Sequence, residues 1–151
     1  MPQAFADYLV RHHVLTLATQ GPEGPWAAAV FYASDGYSLI FVSSPGSRHC
    51  RNLSQDPRCA ATIQEDYSDW QQIKGFQLGG LVRELQGDEE SRAMRLYAEK
   101  FPILRASVSA PPAVLKALAR VRWYRLHPTS CFFIDNSLGF GHREEVDLGG
   151  N

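Results

Sequence analysis

Apolar and polar residues alternate with a period of two over much of this chain, and fall into helical spacing only at its start and again past its middle. Phe5, Tyr8, Leu9 and His12 recur at i, i+3, i+4 and i+7, which predicts a helix over residues 2 to 12 that begins at Pro2 and closes one end of the core. Val14 to Thr19 is apolar and β-branched, the turn-forming run 20–25 follows, and Trp26 to Ala33 is apolar again, so this part reads as a hairpin. Ser34-Asp35-Gly36 then turns the chain into a third strand over 37–43. Arg58 to Gln64 offers a fourth strand. In a fifth, Phe76, Leu78, Gly80 and Val82 alternate with Gln77, Gly79, Leu81 and Arg83, and its paired glycines predict a bulge or a close backbone approach. Between these two, Glu65 to Gln72 reads as a loop.

Helical spacing returns at Gly87-Asp88-Glu89-Glu90, where Asp88 is the expected cap, and Met94, Tyr97, Ala98 and Phe101 form the expected buried face until Pro102 ends the helix. Residues 103–112 look irregular and 113–119 suggest a short helix. Val121 to Leu126 and Cys131 to Ile134 read as two further strands, the second leading through the turn Asp135-Asn136-Ser137-Leu138-Gly139 into Phe140. From Val146 onward the tail looks loose. With short connections and no strict βαβ alternation, the expected fold is mainly β: an antiparallel barrel of about six or seven strands with two or three peripheral helices, in one domain over 1–151.

Composition narrows the possible partners. A formal net charge of -1 over 151 residues gives no long-range field for nucleic acid or anionic lipid, so any anion recognition must be local. Cys50, Cys59 and Cys131 are odd in number and lack CxxC spacing, which argues against a disulfide framework and a zinc site. His12 and His13 are adjacent, hence about 100° apart on a helix, and no metal site is read there. No apolar run approaches the roughly 20 residues of a membrane helix, and the start of the chain lacks the pattern of a signal peptide, so the expected compartment is the cytoplasm.

One stretch carries candidate chemistry. After the apolar run 37–42, Ser43-Ser44-Pro45-Gly46-Ser47-Arg48-His49 reads as a strand end, a tight loop and a helix start capped by Ser47, with Asp56-Pro57 as the stop. Arg48 and His49 carry the wrong charge for a helix N-terminus, whose unpaired amides are already partly positive, at a cost of a few tenths of a kcal/mol. A phosphate reverses that sign, collecting hydroxyls, amides and cationic side chains at one point, so the stretch reads as a phosphate cup. No Ser-His-Asp spacing, Walker loop or dinucleotide fingerprint accompanies it, and no residue stands out as a general acid or base.

The segment from Phe41 to His49, followed by Asn52-Leu53 and Asp56-Pro57-Arg58, resembles the strand, phosphate loop and short helix of the pyridoxamine 5'-phosphate oxidase-like split-barrel superfamily. Leu81-Val82-Arg83-Glu84-Leu85 and Phe101-Pro102 fit the same pattern. Arg48-His49, Gly87-Asp88-Glu89-Glu90 and the run from Asp135 to Gly141 resemble its YhbP-type branch. The resemblance implies a split barrel that binds FMN at the interface of a homodimer. It implies that Arg48 and His49 meet the phosphate, with Ser47 capping the helix and bonding a phosphate oxygen. Val42 and Ser43 would line the flavin, and Ala28, Ala29, Val30, Phe31 and Tyr32 would form the strand behind the ring. Asn136 and Phe140 would lie near the flavin or the dimer interface. It implies FMN-dependent oxidoreductase chemistry on a small molecule, or alternatively a non-enzymatic flavin- or haem-binding module for storage or sensing. Three departures count against pyridoxamine phosphate oxidation itself: His49 stands where the oxidase has Lys, Gly75 where it has a flavin-contacting Gln, and Tyr32 where it has a Lys for the substrate phosphate.

Overall fold

A computed structural model of the protein describes residues 1–102 and 111–149. Seven strands form one antiparallel sheet: β1 Val14–Gly21, β2 Gly24–Asp35, β3 Ser38–Ser43, β4 Arg58–Gln64, β5 Lys74–Glu84, β6 Arg122–Asp135 and β7 Arg143–Glu145. They lie in the order β3-β2-β1-β4-β5-β6-β7, and an additional pairing of β3 with β6 closes the first six into a barrel, with β7 at the margin. Four α-helices are described: α1 Gln3–Arg11, α2 Arg48–Gln55, α3 Gly87–Lys100 and α4 Pro112–Leu118. The mainly β barrel with peripheral helices is therefore the fold.

Period-two alternation explains the interior. Leu15, Leu17, Val30, Tyr32, Leu39, Phe41, Ile63, Phe76, Leu126 and Phe133 all point inward, and α1 adds Phe5, Tyr8 and Leu9 at one end. Tyr8 reaches across that end to donate to the Lys74 carbonyl at 2.9 Å. His12 stacks on Tyr8 with ring centroids 3.7 Å apart and has both ring nitrogens engaged, by the Tyr8 carbonyl and by Glu65. Lys100, at the end of α3, donates to the carbonyls of Leu9 and His12, where α1 stops, and burial lowers its amine to about 8. A second apolar cluster lies outside the barrel, where α3 covers Ala33, Ile40 and Trp123 with Ala93 and Tyr97.

Several boundaries differ from the sequence expectation. The expected turn over 20–25 is mostly strand: Gly21 pairs with Gly24 and only Pro22 and Glu23 form the turn, since Gly24 adopts φ 92 and tightens it. Asp88 does not cap α3; Gln86 holds the cap position without a side-chain bond, and Asp88, Glu89 and Glu90 occupy the first turn, where they face the positive end of the helix. Met94 is 47% exposed, because the small Ala93 lets α3 sit close to the sheet and turns the buried face by one residue. The loop over 65–72 ends in a single 3-10 turn, Trp70–Gln72, capped by Asp69, whose carboxylate accepts from the Gln71 amide at 3.0 Å.

The two strands expected over 121–126 and 131–134 are one 14-residue strand, β6. Pro128, which lacks a ladder donor, sits where the β5–β6 register shifts between Gly79 and Gly80, so the bulge accommodates a proline inside the strand. A Cβ at Gly80 would lie 2.4 Å from the His127 carbonyl oxygen, the close backbone approach that the glycine pair had suggested. In the supposedly loose tail, Val146 is 4% exposed and donates its amide to the Cys131 carbonyl at 2.8 Å, so the core extends that far. The irregular stretch expected from residue 103 lies, up to residue 110, outside the described residues, as do residues 150 and 151.

Candidate functional site

The cup forms where β3 ends. Ser43 is 8% exposed and pairs with Arg122 across the β3–β6 ladder, so its hydroxyl is fixed by the barrel. The next four residues reverse the chain, with the Ser47 amide donating to the Ser44 carbonyl at 3.0 Å. Ser47 then caps α2 as expected, its Oγ accepting from the Cys50 amide at 3.3 Å. His49 Nε2 lies 2.7 Å from Ser43 Oγ and 3.2 Å from Ser47 Oγ, so the imidazole ties both hydroxyls together. Burial holds the His49 pKa below its ordinary value, which keeps the ring neutral near pH 7.

Arg48 is laid against the β1–β2 hairpin. Its guanidinium carbon is 4.3 Å from the centre of the Trp26 ring, and Nη2 donates to the Glu23 carbonyl at 3.0 Å. The Glu23 carboxylate is 3.8 Å from Nε, which is buried without a hydrogen-bond partner. Arg51 closes the loop from the other side by donating to the Gly46 carbonyl. Asn52, 5% exposed, anchors α2 to the barrel through a 3.0 Å bond from Nδ2 to Thr19 Oγ1. The result is a rigid helix start that gathers two serine hydroxyls, an imidazole, a guanidinium and free backbone amides.

The structure brings Ser43, Ser47, Arg48 and His49 together and separates the other candidates. Along β2, Val30 and Tyr32 face the core, with Ala28 half-buried on the same side, whereas Ala29 and Phe31 face outward. Tyr32 is fully buried, donates its hydroxyl to the Leu9 carbonyl at 2.9 Å and carries Lys100 Nζ 4.0 Å over its ring. It presents no group to a ligand. Val42 is partly exposed on the outer side, packed against the cluster under α3. At Gly75 a Cβ would lie 2.5 Å from the Ile63 carbonyl oxygen, so the β4–β5 ladder has no room there for a glutamine.

Asn136 and Phe140 stand at the other end of the molecule from the cup. The cup adjoins Arg122 at the start of β6, whereas Asn136 follows Asp135 at its end. Asn136 is 6% exposed, donates to the Trp70 carbonyl at 2.9 Å and accepts from the Gly141 amide at 3.0 Å, pinning a short turn. On that turn Phe140 is 84% exposed and meets Trp70 edge-on, with centroids 5.6 Å apart.

Between the two ends runs a feature that single-residue reasoning missed. The outward positions of four neighbouring strands are Ala27, Ala29 and Phe31 on β2, Val14, Thr16 and Ala18 on β1, Ala60 and Thr62 on β4, and Gln77, Gly79 and Leu81 on β5. None of these central positions is charged, and Arg58, opposite Leu81, and Arg83 share their side at one margin. A cavity of about 430 Å³ lies over this face, bordered by Phe132 and Arg143. Its sequence signal was present in the polar phase of each strand, where uncharged residues occupy the central positions.

A closed antiparallel barrel with a serine- and cation-bearing helix after its third strand defines a class of protein, the split barrels that resemble pyridoxamine 5'-phosphate oxidase. Residues 1–134 match the family model for pyridoxamine 5'-phosphate oxidase, and the chain belongs to that family. Within it the chain falls in the YhbP-type branch. It is 30% identical over 142 residues to a UPF0306 protein of Klebsiella pneumoniae subsp. pneumoniae, covering 93% of this chain and 88% of that one. To the UPF0306 protein YhbP of Escherichia coli O157:H7 it is 28% identical, with the same coverage of both chains. Among solved structures it is similar to a heme binding protein from Mycobacterium smegmatis, with a TM-score of 0.74 and 23% identity, over 98% of this chain and 59% of that one. Among the described residues no helix is long and apolar enough to cross a membrane.

Proposed function

We propose that the protein is a cytoplasmic homodimer that binds FMN and acts as an FMN-dependent oxidoreductase on a small molecule. The observation that carries this reading is the start of α2, where Ser43, Ser47, His49 and Arg48 converge and Arg48 Nε is buried without a hydrogen-bond partner. A phosphate suits that donor set, because it accepts from several hydroxyls, amides and a guanidinium at once. The family match supports FMN as the source of that phosphate.

In this reading Arg48 and His49 bind the phosphate, Ser47 holds the helix start in register and also reaches a phosphate oxygen, and Ser43 orients His49. Ala29, Phe31 and Val42 give the ring an apolar wall on the outer side of β2 and β3, with Val30 and Tyr32 packing behind it. Bound FMN supplies hydride or single-electron transfer, and the chain supplies position and exclusion of water. The buried Tyr32 and the crowded backbone at Gly75 speak for a substrate other than pyridoxamine phosphate. The uncharged outer face supports a dimer, since a soluble barrel gains nothing by leaving such a face in water.

Adding FMN to the purified protein should give a yellow complex with quenched flavin fluorescence, and Arg48→Ala should weaken it. Failure of FMN to bind, or equal binding by the variant, overturns the assignment. A second reading, a haem- or flavin-binding store without turnover, draws on the similarity to a heme binding protein. The absorption spectrum of the protein as purified separates the two. A flavin band that bleaches with NAD(P)H and returns with oxygen supports the oxidoreductase, and a stable Soret band or an unreactive flavin supports the store.

A further inference from the structure

The tip of the β1–β2 hairpin lies closer to α2 than a side chain at Gly21 would allow. Gly21 ends β1 against the buried Asn52 amide, and a Cβ there would stand 1.9 Å from Asn52 Oδ1. The 3.0 Å bond from Asn52 to Thr19 Oγ1 ties the same strand to the helix. The tip is held in place, and it brings Glu23 to Arg48 in two different ways. The main-chain carbonyl of Glu23 accepts from Arg48 Nη2 at 3.0 Å, while the Trp26 ring supports the guanidinium. Those contacts come from backbone and indole, so they hold Arg48 whatever the Glu23 side chain does.

The Glu23 carboxylate is placed differently. Its Oε2 lies 3.8 Å from Arg48 Nε, too long for a hydrogen bond yet close enough to offset the charge. The side chain is 72% exposed, so it can turn into water about its own bonds while the carbonyl stays where it is. Neighbouring charges at this end have other partners: Asp56 pairs with Arg58 at 2.7 Å, Glu84 with Arg122 at 3.6 Å, and Arg51 donates to the Gly46 carbonyl. Among the described residues, then, Glu23 is the carboxylate that faces Arg48. Nε itself is buried without a hydrogen-bond partner. An acceptor that approaches more closely than 3.8 Å gains the bond that Glu23 leaves unmade.

We infer that the Glu23 side chain is a tethered counter-ion that competes with an incoming phosphate for Arg48, so that binding exchanges one anion for another. This rests on the phosphate cup proposed above and adds to it a residue that lowers affinity. The competition weakens every anion by the same factor. Only a ligand that also bonds the hydroxyls of Ser43 and Ser47 and the amides of α2 outweighs it.

Glu23→Gln tests the inference, because it keeps the carbonyl and the length of the side chain and removes the charge. In fluorescence-quenching titrations the variant should bind FMN roughly two- to fivefold more tightly than the unaltered protein, the range for a partly exposed ion pair. Inorganic pyrophosphate, followed through the Arg48 Nε–H signal in proton–nitrogen correlation NMR, should gain by the same factor, and riboflavin should gain nothing. In an Arg48→Ala background the gain in FMN affinity should vanish. Equal or weaker binding by Glu23→Gln, of whichever phosphate ligand the protein takes, overturns the inference. So does a gain that persists without Arg48, which is plain repulsion of the anion, or a like gain for riboflavin. Tighter pyrophosphate binding in a protein that takes no FMN would keep the exchange and remove the cofactor assignment, and a protein that binds neither removes both.

Discussion

Arg48 and His49 would meet a phosphate in different ways. The Arg48 guanidinium is already ordered on Trp26 and the Glu23 carbonyl, so little rotamer freedom remains to be lost on binding. Hydrogen bonds to a charged partner contribute about 1.5–3 kcal/mol, so Arg48→Ala should lower FMN affinity by roughly 10- to 150-fold in a fluorescence-quenching titration. Arg48→Lys should recover only part of it, since an ammonium cannot lie flat on the indole as a guanidinium does. His49 adds a pH dependence. Burial lowers its pKa in the free protein, and a phosphate dianion beside it would raise that value, so the complex holds more protons than the free protein in the window between the two. Above about pH 6.5, where the phosphate is mainly dianionic, FMN affinity should fall as pH rises, by up to about tenfold per unit. Riboflavin, which lacks the phosphate, should show no such trend, and His49→Gln should flatten the FMN curve. The same depressed value also means that the free protein loses stability as pH falls below 6.5, because the unfolded chain takes up the proton more readily.

At the scale of elements, two positions carry more than their size suggests. Gly75→Ala would drive a methyl group to 2.5 Å from a backbone oxygen of β4, which the ladder cannot absorb by moving a side chain. Its denaturation midpoint should drop sharply, a loss of roughly 1–3 kcal/mol or outright misfolding. Asn136→Ala removes two bonds from a buried amide, strands the Gly141 amide and leaves the Trp70 carbonyl with the Ile73 amide alone among these partners. We expect a loss of about 1–3 kcal/mol in chemical denaturation, together with hydrogen-exchange protection lost at Gly141. Much of this scaffold was legible in the sequence. The fourth strand reads correctly because alternation begins just after Pro57 and nothing inside it competes. The run 20–25 misleads because Gly and Pro signal a turn equally well when only two residues turn and the rest are held extended by pairing with the neighbouring strand. The division seen in β6 has the same origin, since Pro128 looks like a breaker until a bulge across the ladder accommodates it. On α3, apolarity favoured Met94 over Ala93, but close packing on a sheet selects the smaller side chain.

For the whole molecule, the outer face of β2, β1, β4 and β5 is the surface on which the proposed dimer rests. Alternation distinguishes the two sides of a sheet, yet it does not say whether the outer side meets water or protein, so this face became visible only once four strands were aligned. Ala18 lies near its middle and is exposed, so a charge placed there should leave the fold intact. Ala18→Glu should sediment as a monomer at concentrations where the unaltered protein is a dimer, with a circular dichroism spectrum unchanged; a dimer of unchanged affinity would remove this face from the interface. The cup was legible from one local run, whereas its distance from Phe140 depends on the path of a strand that no local pattern reveals.

The pairing of β3 with β6 also sets the order in which the chain can fold. Leu39 to Ser43 meets Leu126 to Arg122 across about eighty residues of intervening chain, so the ring of strands stays open until almost the whole sequence is available. Closing so long a loop gives up chain entropy before its contacts are gained, which makes closure the expected slow step. During synthesis, β3 and β5 would both wait with unpaired edges until β6 leaves the ribosome. A fragment ending before residue 122 should therefore aggregate rather than rest as a stable half-barrel, even though it contains every residue of the proposed phosphate cup.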